Sequence, residues 1–247
     1  MVFVPAERSF FAMIQKNPFF FWREEDSVPV DYFIKEFGSF YSQLEAAISF
    51  ENKNTPSSFS LRIPAGIVDG SYEYDSKEMK GYIRHDNDVR TEMKDASSGE
   101  QEFIPIFLVL NRKHFFGKGC IIEEPEAHLF PGAQKEMTKL LAENFNQSKN
   151  LFITTHSPYL LTVFNNLVHA GLLEQKFQND EERSRKLNRV VAKKYRIDPS
   201  EFAAYLVDRG VVKNIVNSKS KLINASTIDA VSDKIFSEFD QLLELES

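Results

Sequence analysis

A chain of 247 residues suffices for one large domain or two small ones. Hydrophobic side chains make up 42% of it and aromatics 13%, with 23 phenylalanines, which is enough for a sizeable core. The 30 basic and 36 acidic side chains leave a net charge of -6, so the chain gains nothing globally from phosphate backbones, and any nucleic-acid contact is confined to a local patch.

Val2-Phe3-Val4 reads as a short buried strand. Phe10, Phe11 and Ile14, followed by Phe19, Phe20, Phe21 and Trp22, form an apolar stretch suited to core packing or a partner interface. From Asp31 to Ile48 the apolar positions Phe33, Ile34, Phe37, Phe40, Tyr41, Leu44 and Ile48 recur at helical spacing. The segment Phe59 to Met93 changes character. Alternation in Ser60-Leu61-Arg62-Ile63, a turn at Asp69-Gly70 and the polar loop His85-Asp86-Asn87-Asp88 predict antiparallel strands. His85, Asp86 and Asp88 are potential oxygen and nitrogen ligands, but a turn between strands explains them.

A helix from about Gly99 to Arg112 then precedes the apolar strand Gly119-Cys120-Ile121-Ile122. The next helix has Met137, Leu140, Leu141 and Phe145 on one face. A second buried strand, Leu151-Phe152-Ile153-Thr154, leads to a helix opened by Ser157-Pro158, where proline at the first helical position is well placed. Helix, strand, helix, strand, helix is the grammar of an α/β fold with a parallel sheet. The last third reads as mostly helical. Residues 176–196 are highly charged, Asp198-Pro199-Ser200-Glu201 makes a good helix start, and Ser226 with Asp229 forms a capping box. The final helix, with Val231, Ile235, Phe239 and Leu243 on one face, is expected to pack on the preceding layer.

The lone Cys120 cannot close an internal disulfide and suits a reducing cytosol. No apolar run approaches bilayer-crossing length, and the opening MVFVPAERSFF has no signal-peptide organisation. The expectation is a cytoplasmic protein without membrane contact.

Three short segments carry chemistry. Ser97-Ser98-Gly99-Glu100-Gln101 stands directly before a helix, where backbone N–H groups and a hydroxyl at the positive end of the dipole suit a phosphate; a plain N-cap is the alternative. Cys120 to Glu126 is an apolar strand ending in Glu123-Glu124-Pro125-Glu126. Acids at a strand's C-terminal end emerge into the crevice where α/β proteins bind ligands, one able to hold Mg²⁺ and the next to orient and deprotonate a water. The strand Leu151 to Thr154 delivers His156 to the same edge.

The series SSGEQ, GCIIEEPEAHLFP and LFITTHSPYLL resembles the ABC-type P-loop ATPases, in particular the prokaryotic AAA/ABC ATPases related to OLD-family proteins and to SMC-type and DNA-repair heads. In that branch the signature loop is commonly SSGxQ and Walker B commonly EEPExHLxP. Val4 to Ser9 looks like a segment these proteins carry some way after the P-loop, and Phe202 to Tyr205, Leu222 to Asn224 and Phe239 to Leu243 look like their C-terminal helical portion.

The resemblance implies roles residue by residue. Ser98, Gly99 and Gln101 belong to the signature loop, which contacts the γ-phosphate of ATP on an opposing protomer. Glu123 stands at the Mg²⁺-associated Walker B position, Glu124 at the catalytic carboxylate and His156 at the switch histidine. Glu126 and His128 fall in the D-loop region, which shapes the dimer interface. The fold so implied is a partial P-loop NTPase with parallel strands, an antiparallel β region and a helical C-terminal portion. It divides into residues 1–96, a motif-bearing lobe over 97–170, and a helical region over 171–247.

One departure is large. No glycine opens a G-x-x-x-x-G-K-[ST] run, and Gly117-Lys118-Gly119 lies just before the Walker B strand. The expectation is therefore the C-terminal part of an ATPase using ATP and Mg²⁺, inactive alone. It would work as a homodimer or with a chain supplying the P-loop. A non-hydrolysing interaction module is the alternative. Arg183, Arg185, Lys186, Arg189, Lys193, Lys194 and Arg196 crowd one predicted helix, which reads as a solvated charged face rather than a nucleic-acid site.

Overall fold

The computed structural model describes residues 1–8, 32–51, 58–111, 119–148, 150–224, 228 and 230–245. The Phe10–Trp22 stretch, Gly117-Lys118 and the capping pair Ser226 and Asp229 lie outside the described residues. The chain divides into two compact units, Met1–His156 and Ser157–Ser247.

Among its described residues the first unit holds two sheets. β1 (Val2–Val4), β6 (Cys120–Glu123) and β7 (Leu151–Thr154) form a parallel sheet in the order β1-β6-β7. Val2 pairs with Cys120 and Val4 with Ile122, while Glu123 pairs with Thr154. All three strands therefore end at the same edge. Short β-branched and apolar runs suit such a sheet, and Val4 and Ile122 are fully buried. β7 departs from the expected buried strand: Phe152 is 62% exposed.

The antiparallel sheet follows the expected hairpins: β2 (Ser58–Arg62), β3 (Gly70–Asp75), β4 (Lys80–His85) and β5 (Arg90–Glu92) pair in sequence order. His85 ends β4 and Asp86 follows in the β4–β5 turn, where it pairs with Arg62. Phe59 stacks on Tyr74 at 5.8 Å between ring centroids, on the buried face. The described residues of the unit also form the helices α1 (Tyr32–Glu51), α2 (Ser98–Leu110) and α3 (Pro131–Ser148). Helix α1 buries Phe37, Tyr41 and Leu44, one helical turn apart, and contacts α2, β1 and β2. Every residue of α2 from Glu102 to Leu110 is buried. A helix apolar on all sides has to be central, and α2 holds the site's geometry for that reason.

The second unit contains α4 (Pro158–Lys176), α5 (Glu181–Val190), a hairpin of β8 (Tyr205–Asp208) with β9 (Val211–Asn214), and α6 (Ala230–Glu244). Here three sequence expectations fail. Asp198 caps only a 3₁₀ turn, Pro199–Glu201, and the chain then enters the hairpin rather than a helix. Its turn residues Arg209 and Gly210 both have positive φ, +48° and +77°, which matches the right-handed twist of a two-residue hairpin. The basic residues do not share one helix. Helix α5 ends at Val190, Lys193 and Lys194 belong to a 3₁₀ turn, and Arg196 is buried, donating to the Val191 carbonyl. The apolar face of α6 is not packed: Ile235, Phe236, Phe239 and Leu243 are exposed.

Among the described residues, no helix is long and apolar enough to cross a membrane.

Candidate functional site

Strand β6 ends in Glu123, and the chain turns at once. Glu124 has φ +43° and precedes Pro125, a position where both the side chain and the following ring disfavour that conformation. The turn closes with Ala127 N–H on the Glu124 carbonyl and Leu129 N–H on the Glu126 carbonyl, and His128 also has positive φ, +60°. Strain at such a position persists only where the surroundings hold it.

They hold it from two sides. The Glu124 N–H donates to the Thr154 carbonyl at 3.0 Å, extending the β6–β7 ladder by one bond. On the other side, Arg8, fully buried, donates from Nη2 to the Glu124 carbonyl and from Nη1 to the Glu123 carbonyl, each at 2.8 Å.

The side chains converge above this edge. His156 Nε2 lies 3.2 Å from Glu124 Oε1, and the imidazole is otherwise 93% exposed. Glu126 is buried, and its Oε1 accepts from the Thr155 hydroxyl and, at 3.1 Å, from the His156 backbone N–H. Glu126 therefore fixes the point at which the chain leaves β7, and with it where His156 emerges. Glu123 Oε2 accepts from the Ala6 N–H at 3.3 Å. Partial burial pushes the Glu124 carboxyl above the usual carboxylate range. The charge of Glu126 and a hydrogen bond to it push the same way, against His156. A carboxyl raised in this manner is a stronger proton acceptor than a fully solvated carboxylate.

The signature-like loop lies beside the turn. Ser97, not Ser98, is the N-cap of α2. It forms a capping box with Glu100, whose carboxylate accepts from the Ser97 N–H at 2.8 Å. Ser98 is exposed at the first helical turn. Gly99 packs so closely that a Cβ there would lie 2.8 Å from the His128 carbonyl oxygen, so only glycine fits. Gln101 turns back, its amide donating to the Met93 and Lys94 carbonyls, and so anchors the loop rather than projecting from it.

The structure thus brings Glu123, Glu124, Glu126 and His156 to one sheet edge and sets Gly99 against His128. Sequence reasoning missed Arg8, Glu102 and Thr155. The signal for the first two was an acid, Glu102, opening the apolar run Phe103 to Leu110, since a carboxylate buried there calls for a cation. Thr155 carried none.

Acids and a histidine at the C-terminal edge of a parallel sheet, beside a capped helix N-terminus, define an α/β protein built to bind a ligand at that edge. The chain belongs to the AAA ATPase domain family, whose model matches residues 27–161, more than half of its length. No curated protein matches it in a sequence comparison. The family implies ATPase chemistry on bound nucleotide, usually with Mg²⁺. The donors fit that ion. Among the described residues no three His, Cys, Asp or Glu side chains cluster as a metal site, and Mg²⁺ needs only one or two carboxylates, taking its other ligands from water and phosphate. Glu123, at the end of β6, places one carboxylate at this edge.

Proposed function

We propose that this chain is the part of an ABC-type ATPase head, of the branch related to OLD-family and SMC-type proteins, that carries signature loop, Walker B and switch histidine. The convergence of Glu124, Glu126 and His156 at one sheet edge carries this reading. Its 247 residues contain no P-loop sequence, so the backbone cradle and lysine for the β- and γ-phosphates come from outside them.

In the assembled site, Glu124 accepts the proton of a water as its oxygen attacks the γ-phosphorus and the bond to the β-phosphate oxygen breaks. His156, beside the Glu124 carboxylate, donates to a γ-phosphate oxygen. Glu126 keeps His156 in place through its backbone N–H. Glu123 would hold Mg²⁺, which would neutralise charge on the phosphates. Ser98 and the first N–H groups of α2, Gly99 among them, meet the γ-phosphate of nucleotide on an opposing protomer, which makes a dimer the working unit. Gln101 and His128 shape that loop and turn.

The exposed apolar face of α6 favours a second reading, an interaction module that no longer hydrolyses ATP. Glu124→Gln separates the two. In a complex reconstituted with a P-loop-bearing chain, it abolishes turnover under the first reading. Under the second there is no turnover to lose, and partner binding is unchanged.

A further inference from the structure

We propose that Arg8 is a positioning residue that holds Glu124 in its left-handed conformation and ties it to the helix bearing the Ser98–Gly99 loop; its role in turnover rests on the ATPase reading above. The guanidinium reaches three segments at once. Nη1 donates to the Pro5 carbonyl and, like Nη2, to the end of β6, where the two carbonyls of Glu123 and Glu124 are held. Nε donates to the Glu102 carbonyl at 2.7 Å and lies 3.2 Å from its carboxylate, in the second turn of α2. Arginine's planar fork can bond several carbonyls in one rigid geometry, which a lysine ammonium cannot.

Packing alone does not account for this residue. A charge buried this deeply is expensive, and an apolar side chain of similar volume is usually at least as stabilising. Burial lowers its pKa to about 10, with Glu102 and then the site's acids opposing, so Arg8 stays charged at neutral pH. What the arginine adds is control of one peptide plane. The Glu124 carbonyl lies between a residue at φ +43° and Pro125. Rotation of Glu124 about N–Cα to negative φ would carry that carbonyl off Arg8 and swing the side chain away from His156. Because α2 shares the same guanidinium, the loop at its N-terminus and the Glu124 plane are held by one group.

The test uses the full chain and compares Arg8→Lys in two backgrounds, wild type and Glu124→Gly. Glycine adopts the left-handed conformation without strain, so it removes what Arg8 is proposed to hold. In the wild-type background, hydrogen exchange at the Ala127 and Leu129 amides should accelerate about tenfold or more on Arg8→Lys, with the β3–β4 amides unchanged. With Gly at 124 the acceleration should shrink to about threefold or less. Equal acceleration in both backgrounds, or none, overturns the proposal. If Arg8→Lys folds only with Gly at 124 the proposal stands, and if it folds in neither it falls. In the reconstituted ATPase, kcat should drop about tenfold while KM stays within about twofold, as expected for a misplaced catalytic group. Unchanged kcat overturns the role in turnover. A wild-type complex with no turnover sinks the ATPase reading and leaves the exchange comparison to judge Arg8.

Discussion

His156 Nε2 lies 3.2 Å from Glu124 Oε1, joining the ends of β7 and β6 across the sheet edge. On the proposed ATPase reading, in which Glu124 is the base and His156 senses the phosphate, the two should fail together. In a reconstituted ATPase, Glu124→Gln is expected to lower phosphate release by about 10²–10⁴-fold. His156→Ala should do the same to within an order of magnitude, and the double variant should be little worse than either. Additive losses, measured as steady-state phosphate release, would show that the two act independently.

Glu126 is the buried acceptor for two donors, the Thr155 hydroxyl and the His156 N–H. Glu126→Ala leaves both without it and should cost about 1–3 kcal/mol in chemical denaturation. Glu126→Gln keeps an acceptor oxygen of the same reach and should cost less. Equal losses in the two variants would contradict the role given to that oxygen.

Much of this site was legible because its chemistry is written in short runs. Apolar strands ending in Glu123-Glu124 and in His156, and a Ser-Gly pair before a helix, each report local structure, and the βαβ grammar aligns them. What was not legible is long-range. Nothing local to Val2–Val4 says that it pairs with β6, more than a hundred residues away, or that Arg8 ends beneath Glu124. The C-terminal failure has a different cause. Tyr205-Leu206-Val207 and Val211-Val212 flank Arg209-Gly210, a hairpin signal in which β-branched residues outweigh the helix start read at Asp198. The basic residues 183–196 look continuous in sequence, yet Val190 ends their helix and Arg196 turns inward.

Two glycines make a paired test of packing. A Cβ at Gly171 of α4 would lie 1.9 Å from the Ile197 carbonyl oxygen, while one at Gly132 of α3 meets nothing within 4 Å. Gly171→Ala should destabilise by about 1–3 kcal/mol or more, as a clash with backbone cannot relax by a rotamer change. Gly132→Ala should stabilise by about 0.5–1 kcal/mol through helix propensity. Thermal unfolding of the two variants reads both signs, and a tolerated Gly171→Ala would refute the close approach of α4 to the Ile197 backbone.

Cys120 is buried in β6, and burial pushes its thiol up to about 12. The folded state therefore holds this proton more tightly than an unfolded thiol near 8.5. Its contribution to stability is complete below about pH 8.5 and is lost as pH rises toward 12. At pH 8 a thiol reagent should label Cys120 no faster than the protein opens, and promptly in denaturant. Prompt labelling of the native chain would contradict its burial.

Division of the nucleotide site between two chains is tested most directly by binding of a fluorescent ATP analogue, with Mg²⁺, to the purified 247-residue chain. The chain alone should not bind at micromolar concentrations, and binding should appear when a P-loop-bearing chain is added. Micromolar binding by the chain alone, weakened by Glu123→Ala, would mean that these residues build a complete phosphate site by themselves, and the division of the ATPase site would be wrong.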